Sequence, residues 1–125
     1  MIYLDTNVLV WVTSGYYDKI SQVAYELMNS QQKLLISPMV MLELQYLYEI
    51  KRLTKSADKI LEYAENFLGL EICEKSFFLA VKKASHFHWT RDPFDRLITA
   101  QAALDEDILL TKDKHIRKHY SQAVW

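Results

Sequence analysis

Glycine and cysteine are scarce in this 125-residue chain: Gly15 and Gly69 are the only glycines, and Cys73 is the only cysteine. Two glycines so far apart cannot form a dinucleotide fingerprint or a P-loop, which need clustered glycines to bring backbone N–H groups against phosphate. One thiol cannot build a disulfide framework or a Cys-based zinc site. Charge of one sign is also lacking. Fifteen Lys and Arg stand against 16 Asp and Glu, a net charge of −1, so no global basic field draws in a polyanion. No apolar run approaches the ~18 residues that a membrane span needs. The N-terminal MIYLDTNVLVWV has no basic n-region, and Asp5 interrupts it. It does not read as a signal peptide, and a cytoplasmic protein is expected.

What remains is a chain of ordinary globular composition, half hydrophobic and one quarter charged. Its length predicts a single domain over residues 1–125. A chain of this size buries roughly two thirds of its unfolded surface and needs no covalent staple. The chemistry open to it is mostly that of carboxylates and histidines.

Short apolar runs alternate with helical patterns. Ile2–Leu4, Leu34–Ile36, Leu70–Cys73 and Ile108–Leu110 read as strands, with residues 123–125 as a possible edge strand. Helical periodicity covers about 20–30, 39–53, 56–68, 76–87, 93–105 and 112–119. Ser37-Pro38 and Asp92-Pro93 read as N-cap plus first helical residue, and Gly69 as a helix-ending glycine. Near-continuous apolar strands separated by helices predict an α/β fold, a three-layer α/β/α sandwich around a parallel sheet of four to five strands.

In such sheets, ligands bind beyond the carboxyl ends of the strands. That rule singles out particular acids. Asp5 follows the first strand and precedes Val8–Val12. Asp113 follows Ile108–Leu110. Asp95 sits three residues into the helix that Asp92 opens. Glu43 lies inside SPMVMLELQYLYEI with no Lys or Arg within four residues. A helix so apolar is expected to be buried, and a lone glutamate there must be paired, protonated or metal-bound. Helix capping by itself explains Asp5, Asp92, Asp95 and Asp113. If the strands pair in parallel, however, Asp5, Asp95 and Asp113 come to one sheet edge, and Glu43 sits on a helix that starts from that same edge at Ser37. Clustered carboxylates raise one another's pKa, an arrangement suited to a hard divalent cation such as Mg²⁺.

LDTNVLVW, ISPMVMLELQYLY, RDPFDRLITAQA and LLTKDKHI, in that order and spacing, resemble a PIN-domain ribonuclease of the VapC toxin type, over nearly the whole chain. The resemblance implies Mg²⁺- or Mn²⁺-dependent cleavage of RNA. It places the family acids at Asp5, Glu43, Asp95 and Asp113, with Asp5, Asp95 and Asp113 holding metal, and no family acid missing. Thr6 and Thr111 match supporting hydroxyl positions. Asp92 is an acid in many relatives, although N-capping explains it well. The resemblance further implies a homodimer and a cognate antitoxin protein that inserts a segment into the active-site groove. Trp11, Tyr16, Tyr17, Tyr46 and Tyr48 are as well explained by core filling as by such interfaces.

Two other groups stand out. His86, Phe87, His88 and Trp89 form an aromatic knot; the histidines are two apart, a poor zinc pair that fits better at a cleft rim or packed in a loop. Lys112, Lys114, Arg117 and Lys118 cluster with His115 and His119 beside Asp113. With Arg91 and Arg96 they form a local device for RNA phosphates, or a solvated helix face. Two rival functions remain. An aspartyl-nucleophile phosphatase or phosphotransferase would use Asp5, but its usual second aspartate is Asn7 here. A non-catalytic RNA-binding module would bind RNA without cutting it.

Overall fold

A computed structural model describes all residues 1–125. The elements run β1 (Ile2–Leu4), α1 (Thr6–Thr13), a 3₁₀ turn (Tyr17–Lys19), α2 (Gln22–Met28), β2 (Leu34–Ile36), α3 (Pro38–Glu49), α4 (Ala57–Leu68), β3 (Glu71–Ile72), α5 (Phe77–Ala84), α6 (Pro93–Ala103), β4 (Ile108–Leu110), α7 (Lys114–His119) and β5 (Ala123–Val124). The five strands are all parallel, in the order β3-β2-β1-β4-β5, with helices flanking the sheet. β1, β2 and nearly all of β4 are buried, as expected for strands covered on both faces.

The strand order reverses at β1. The chain steps from β1 to β2 and β3, then returns to lay β4 on the other side of β1. This is a topological switch point, where the connections after β1 and β4 diverge and leave a crevice at the carboxyl ends of the strands. Register makes the crevice specific. Leu4 pairs with Leu110, so Asp5 and Thr111 emerge side by side.

A buried polar chain fixes α3 against α6, the helices that carry Glu43 and Asp95. The Ser37 hydroxyl accepts from the Met39 N–H, capping α3, and donates to the Gln101 side chain of α6. Gln101 and Tyr3 both donate to the Cys73 thiol, at 3.6 and 3.1 Å. Ser37, Gln101 and Tyr3 are fully buried, and buried polar groups hold position only when satisfied in this way.

Three expectations are corrected. α3 ends at Glu49, not near Leu53, because Lys51 turns into the left-handed region at φ 64° and the Arg52 N–H folds back to the Leu47 carbonyl. α3 is also not buried all round: Val40 and Leu44 are buried, while Leu42, Tyr46, Tyr48 and Ile50 are exposed. It packs on α4, α6 and α1, and the side carrying these four residues faces largely into solvent. Core filling likewise fails as the reason for four of the five singled-out aromatics. Tyr16, Tyr17, Tyr46 and Tyr48 face solvent, and Trp11 alone is partly buried.

Candidate active site

Four carboxylates from four separate segments line one cavity of about 270 Å³ beyond β1 and β4. They are Asp5 after β1, Glu43 from α3, Asp95 from α6 and Asp113 before α7. Two larger cavities, of about 600 and 550 Å³, lie elsewhere and contain none of these acids. Size does not select the site; the grouping of unpaired charge does. None of the chain's ion pairs involves any of the four acids.

Two threonines tie the group together. The Thr6 N–H donates to Asp5 Oδ1 at 2.8 Å, and the Thr6 hydroxyl donates to Glu43. The Thr111 hydroxyl donates to Asp5 Oδ2 at 2.6 Å and accepts from the Asp113 N–H at 3.1 Å. Both Asp5 oxygens are therefore held, and Asp5 is linked through Thr6 to Glu43 and through Thr111 to Asp113. Asp113 Oδ1 in turn accepts from the His115 and Ile116 N–H groups, so it caps α7 from the cavity edge.

The electrostatics follow from burial and crowding. Burial raises the Asp5 carboxyl; the Thr111 and Thr6 hydrogen bonds oppose this, and the charges of Asp113 and Asp92 add to it. Burial also raises Glu43, opposed by the Thr6 hydroxyl and reinforced by Asp5 and Asp92. Asp95 receives no such hydrogen bond. Burial, then Asp92, Asp5, Asp113 and Glu43, push it up to about 7. The group thus holds protons more tightly than isolated carboxylates do, and a bound cation would displace them.

A family model of the PIN domain matches residues 2–121. The chain belongs to the PIN-domain family. Its fold is similar to a chain in the crystal structure of VapBC2 from Rickettsia felis bound to a DNA fragment from their promoter. The TM-score is 0.61 and the identity 25%, over 94% of this chain and 92% of that one. No curated protein matches the chain.

The donor set of this PIN domain fits a hard divalent cation: oxygen ligands only, carboxylates in excess, and no Lys or Arg neutralising them. No three acids converge as a complete ligand group. Mg²⁺ does not require one, since it usually keeps several waters and takes only one or two carboxylates.

Other singled-out residues separate clearly. Asp92 is exposed and does not line the cavity. It caps α6, accepting from the Phe94 and Asp95 N–H groups, and acts on the site through its charge. Lys112 lines the cavity and lies 5.9 Å over the Trp11 ring. Lys114 and Arg91 are exposed outside it. Arg96 turns away, donating to the Thr90 carbonyl at 2.7 Å, and forms no ion pair with Asp95. His86 and His88 join no metal-competent group. Asn7 and Trp11 also line the cavity, although neither was singled out for it. Their place in the first two turns of a helix starting at the strand end is the signal, and the uniformly apolar Val8–Val12, without helical amphipathicity, masks it.

Proposed function

We propose that this PIN domain is a metal-dependent endoribonuclease, the toxin of a toxin–antitoxin pair acting in the cytoplasm. The observation that carries the reading is the four-carboxylate cavity with no cation paired to it. Family membership and the likeness to a VapBC2 complex support it.

Asp5, Asp95 and Asp113 would hold Mg²⁺ or Mn²⁺, directly or through water. Once bound, the ion would neutralise the phosphodiester, lower the pKa of a water and stabilise the leaving oxygen. Thr6 and Thr111 keep Asp5 in one orientation. Glu43 orients the attacking water and takes its proton, a role suited to a carboxylate whose affinity for protons is raised. The water oxygen bonds to phosphorus as the bond from phosphorus to the 3′-oxygen breaks. That oxygen leaves with a proton from solvent, giving a 5′-phosphate and a 3′-hydroxyl. Lys112 at the cavity attracts the phosphate. An aspartyl-phosphate route is disfavoured, because both Asp5 oxygens already accept hydrogen bonds and Asn7 replaces the second acid.

An antitoxin and a second copy of the chain are the proposed protein partners. The exposed Phe77, Phe78, Leu79 and Val81 on α5 support a protein-covered face.

The decisive experiment is Asp5→Asn. RNA cleavage in Mg²⁺ or Mn²⁺ should be lost with the circular dichroism unchanged. Apo stability should rise through relief of repulsion, and Mg²⁺-induced stabilisation should shrink. Cleavage at the wild-type rate would sink the assignment. Wild-type protein that binds RNA yet never cuts it, even in Mn²⁺, would make this a binding module.

A further inference from the structure

The acid cavity uses neither aromatic group noted in the sequence, the knot at 86–89 or the histidines near the C-terminus. In the fold the two groups join. The Phe87 and Trp89 rings lie 5.9 Å apart at 40°, Trp89 and His119 5.4 Å apart and 6° from parallel, and His119 and His115 6.3 Å apart at 20°. Four rings form one chain of contacts from the interior to solvent, tilted at its Phe87 end and near-parallel from Trp89 outward. Phe87 packs against the Ala80, Ala84 and Ala100 cluster and Trp89 against the main core, whereas His115 and His119 are exposed. The inner rings are anchored and the outer rings are accessible.

Position and charge indicate what the stack receives. The backbone N–H of His115 donates to the Asp113 carboxylate at 2.8 Å, so α7, which carries the two outer rings, starts at the edge of the acid cavity. His115 and His119 are four apart on α7 and share a face, as do Lys114 and Lys118, one position earlier. A row of cations therefore runs beside the row of rings. No ion pair of the chain uses these lysines, or Lys112 at the cavity. Single-stranded nucleic acid is recognised by this combination: unpaired bases stack on aromatic rings while cations follow the phosphates. A duplex hides its base faces and could use only the lysines.

We propose that the Phe87–Trp89–His119–His115 stack is a platform for unpaired bases of a single-stranded RNA, with Lys114 and Lys118 on the adjoining phosphates. It would set which bond along the strand reaches the acids. The proposal rests on the ribonuclease reading above and makes His115 and His119 positioning residues.

The test measures binding of a labelled single-stranded oligoribonucleotide to the full chain in EDTA, and turnover in Mn²⁺. His115→Ala and His119→Ala should each weaken binding about tenfold, the size of one lost base–ring stack, with melting temperature unchanged. His119→Phe should restore binding, because it keeps a ring. A strand of equal length and charge with abasic sugars should bind wild-type protein more weakly and be indifferent to the histidine substitutions. In turnover KM should rise while kcat holds. Alanine variants that bind as wild type, or an abasic strand that binds as well as the intact one, would overturn the platform and leave the ribonuclease standing. Ring-dependent binding by a wild-type protein that cuts nothing would overturn the ribonuclease and leave the platform standing.

Discussion

Asp95 concentrates the electrostatic cost of the site. It is half-buried, without a hydrogen-bond donor to its carboxylate, and near four other acids. In the unfolded chain it loses its proton near 3.8; in the fold it keeps it to about 7. Between those values the folded state binds more protons, so stability falls as pH rises from about 4 to about 7. Metal-free Asp95→Asn should show a shallower decline and a higher melting temperature near neutral pH. The slope it removes is at most about 1.4 kcal/mol per pH unit, reduced by solvent screening. Urea melts across this range in EDTA would measure it, and an unchanged slope would refute it. Glu43 and Asp95 stood out in the sequence for opposite reasons. Glu43 was an acid with no local cation. Asp95 was an acid a helix terminus already explained, and only its burial beside the others distinguishes it from a surface N3 aspartate.

Each helix bordering the site starts at a residue that both caps it and faces or supports the cavity. Asp5 begins α1, Ser37 α3, Asp92 α6 and Asp113 α7. Cap and site are therefore one feature, and the choice between them that the sequence poses is not a real one for Asp5 and Asp113. Asp92 separates the two roles experimentally. Asp92→Ala should cost about 1 kcal/mol in urea denaturation through loss of the α6 cap. Asp92→Asn should keep the cap and stability yet lower the Asp95 pKa in an NMR carboxyl titration, because Asp92 is the strongest neighbouring charge on it. An unmoved Asp95 would show that the two carboxylates do not interact. The starts of α3 and α6 are legible because Ser-Pro and Asp-Pro leave a local chemical mark. The ends of α3, α5 and α6 were overestimated, since apolar periodicity continues past the residue where the chain turns.

Across the whole molecule, the charges are sorted by sheet end. Toward the amino ends, Lys75 pairs with Asp105 and Asp107 at 2.8 and 2.6 Å, the terminal amine with Asp107 at 3.5 Å, and Lys33 with Glu71 at 3.3 Å. At the carboxyl ends the acids stay unpaired, with the α7 lysines beside them. The near-zero net charge is the sum of these fields and says little about what the cleft binds. The apolar residues left outside are equally uneven. Phe78 is 72% exposed at the start of α5, beside Phe77 and Leu79. If a second copy covers this face, wild-type protein should sediment as a dimer and Phe78→Glu as a folded monomer with an unchanged circular dichroism spectrum and a melting temperature that no longer depends on protein concentration. Identical sedimentation of the two would remove α5 from any interface.

The sequence by itself determined the strand–helix alternation after the first strand, the parallel sheet, the capped starts of α3 and α6, and which acids stand out for lacking a local cation or following a strand. These depend on local periodicity and on residue types whose cost when buried is known in advance. Tertiary structure decided the rest. The β3-β2-β1-β4-β5 order brings Asp5 and Thr111 into register, residues 106 apart in the chain. Packing along one side of α3 leaves Leu42 and Tyr46 in solvent. The chain's return past α6 stacks Trp89 on His119. Such contacts are set by which surfaces meet, and no window of sequence contains both partners.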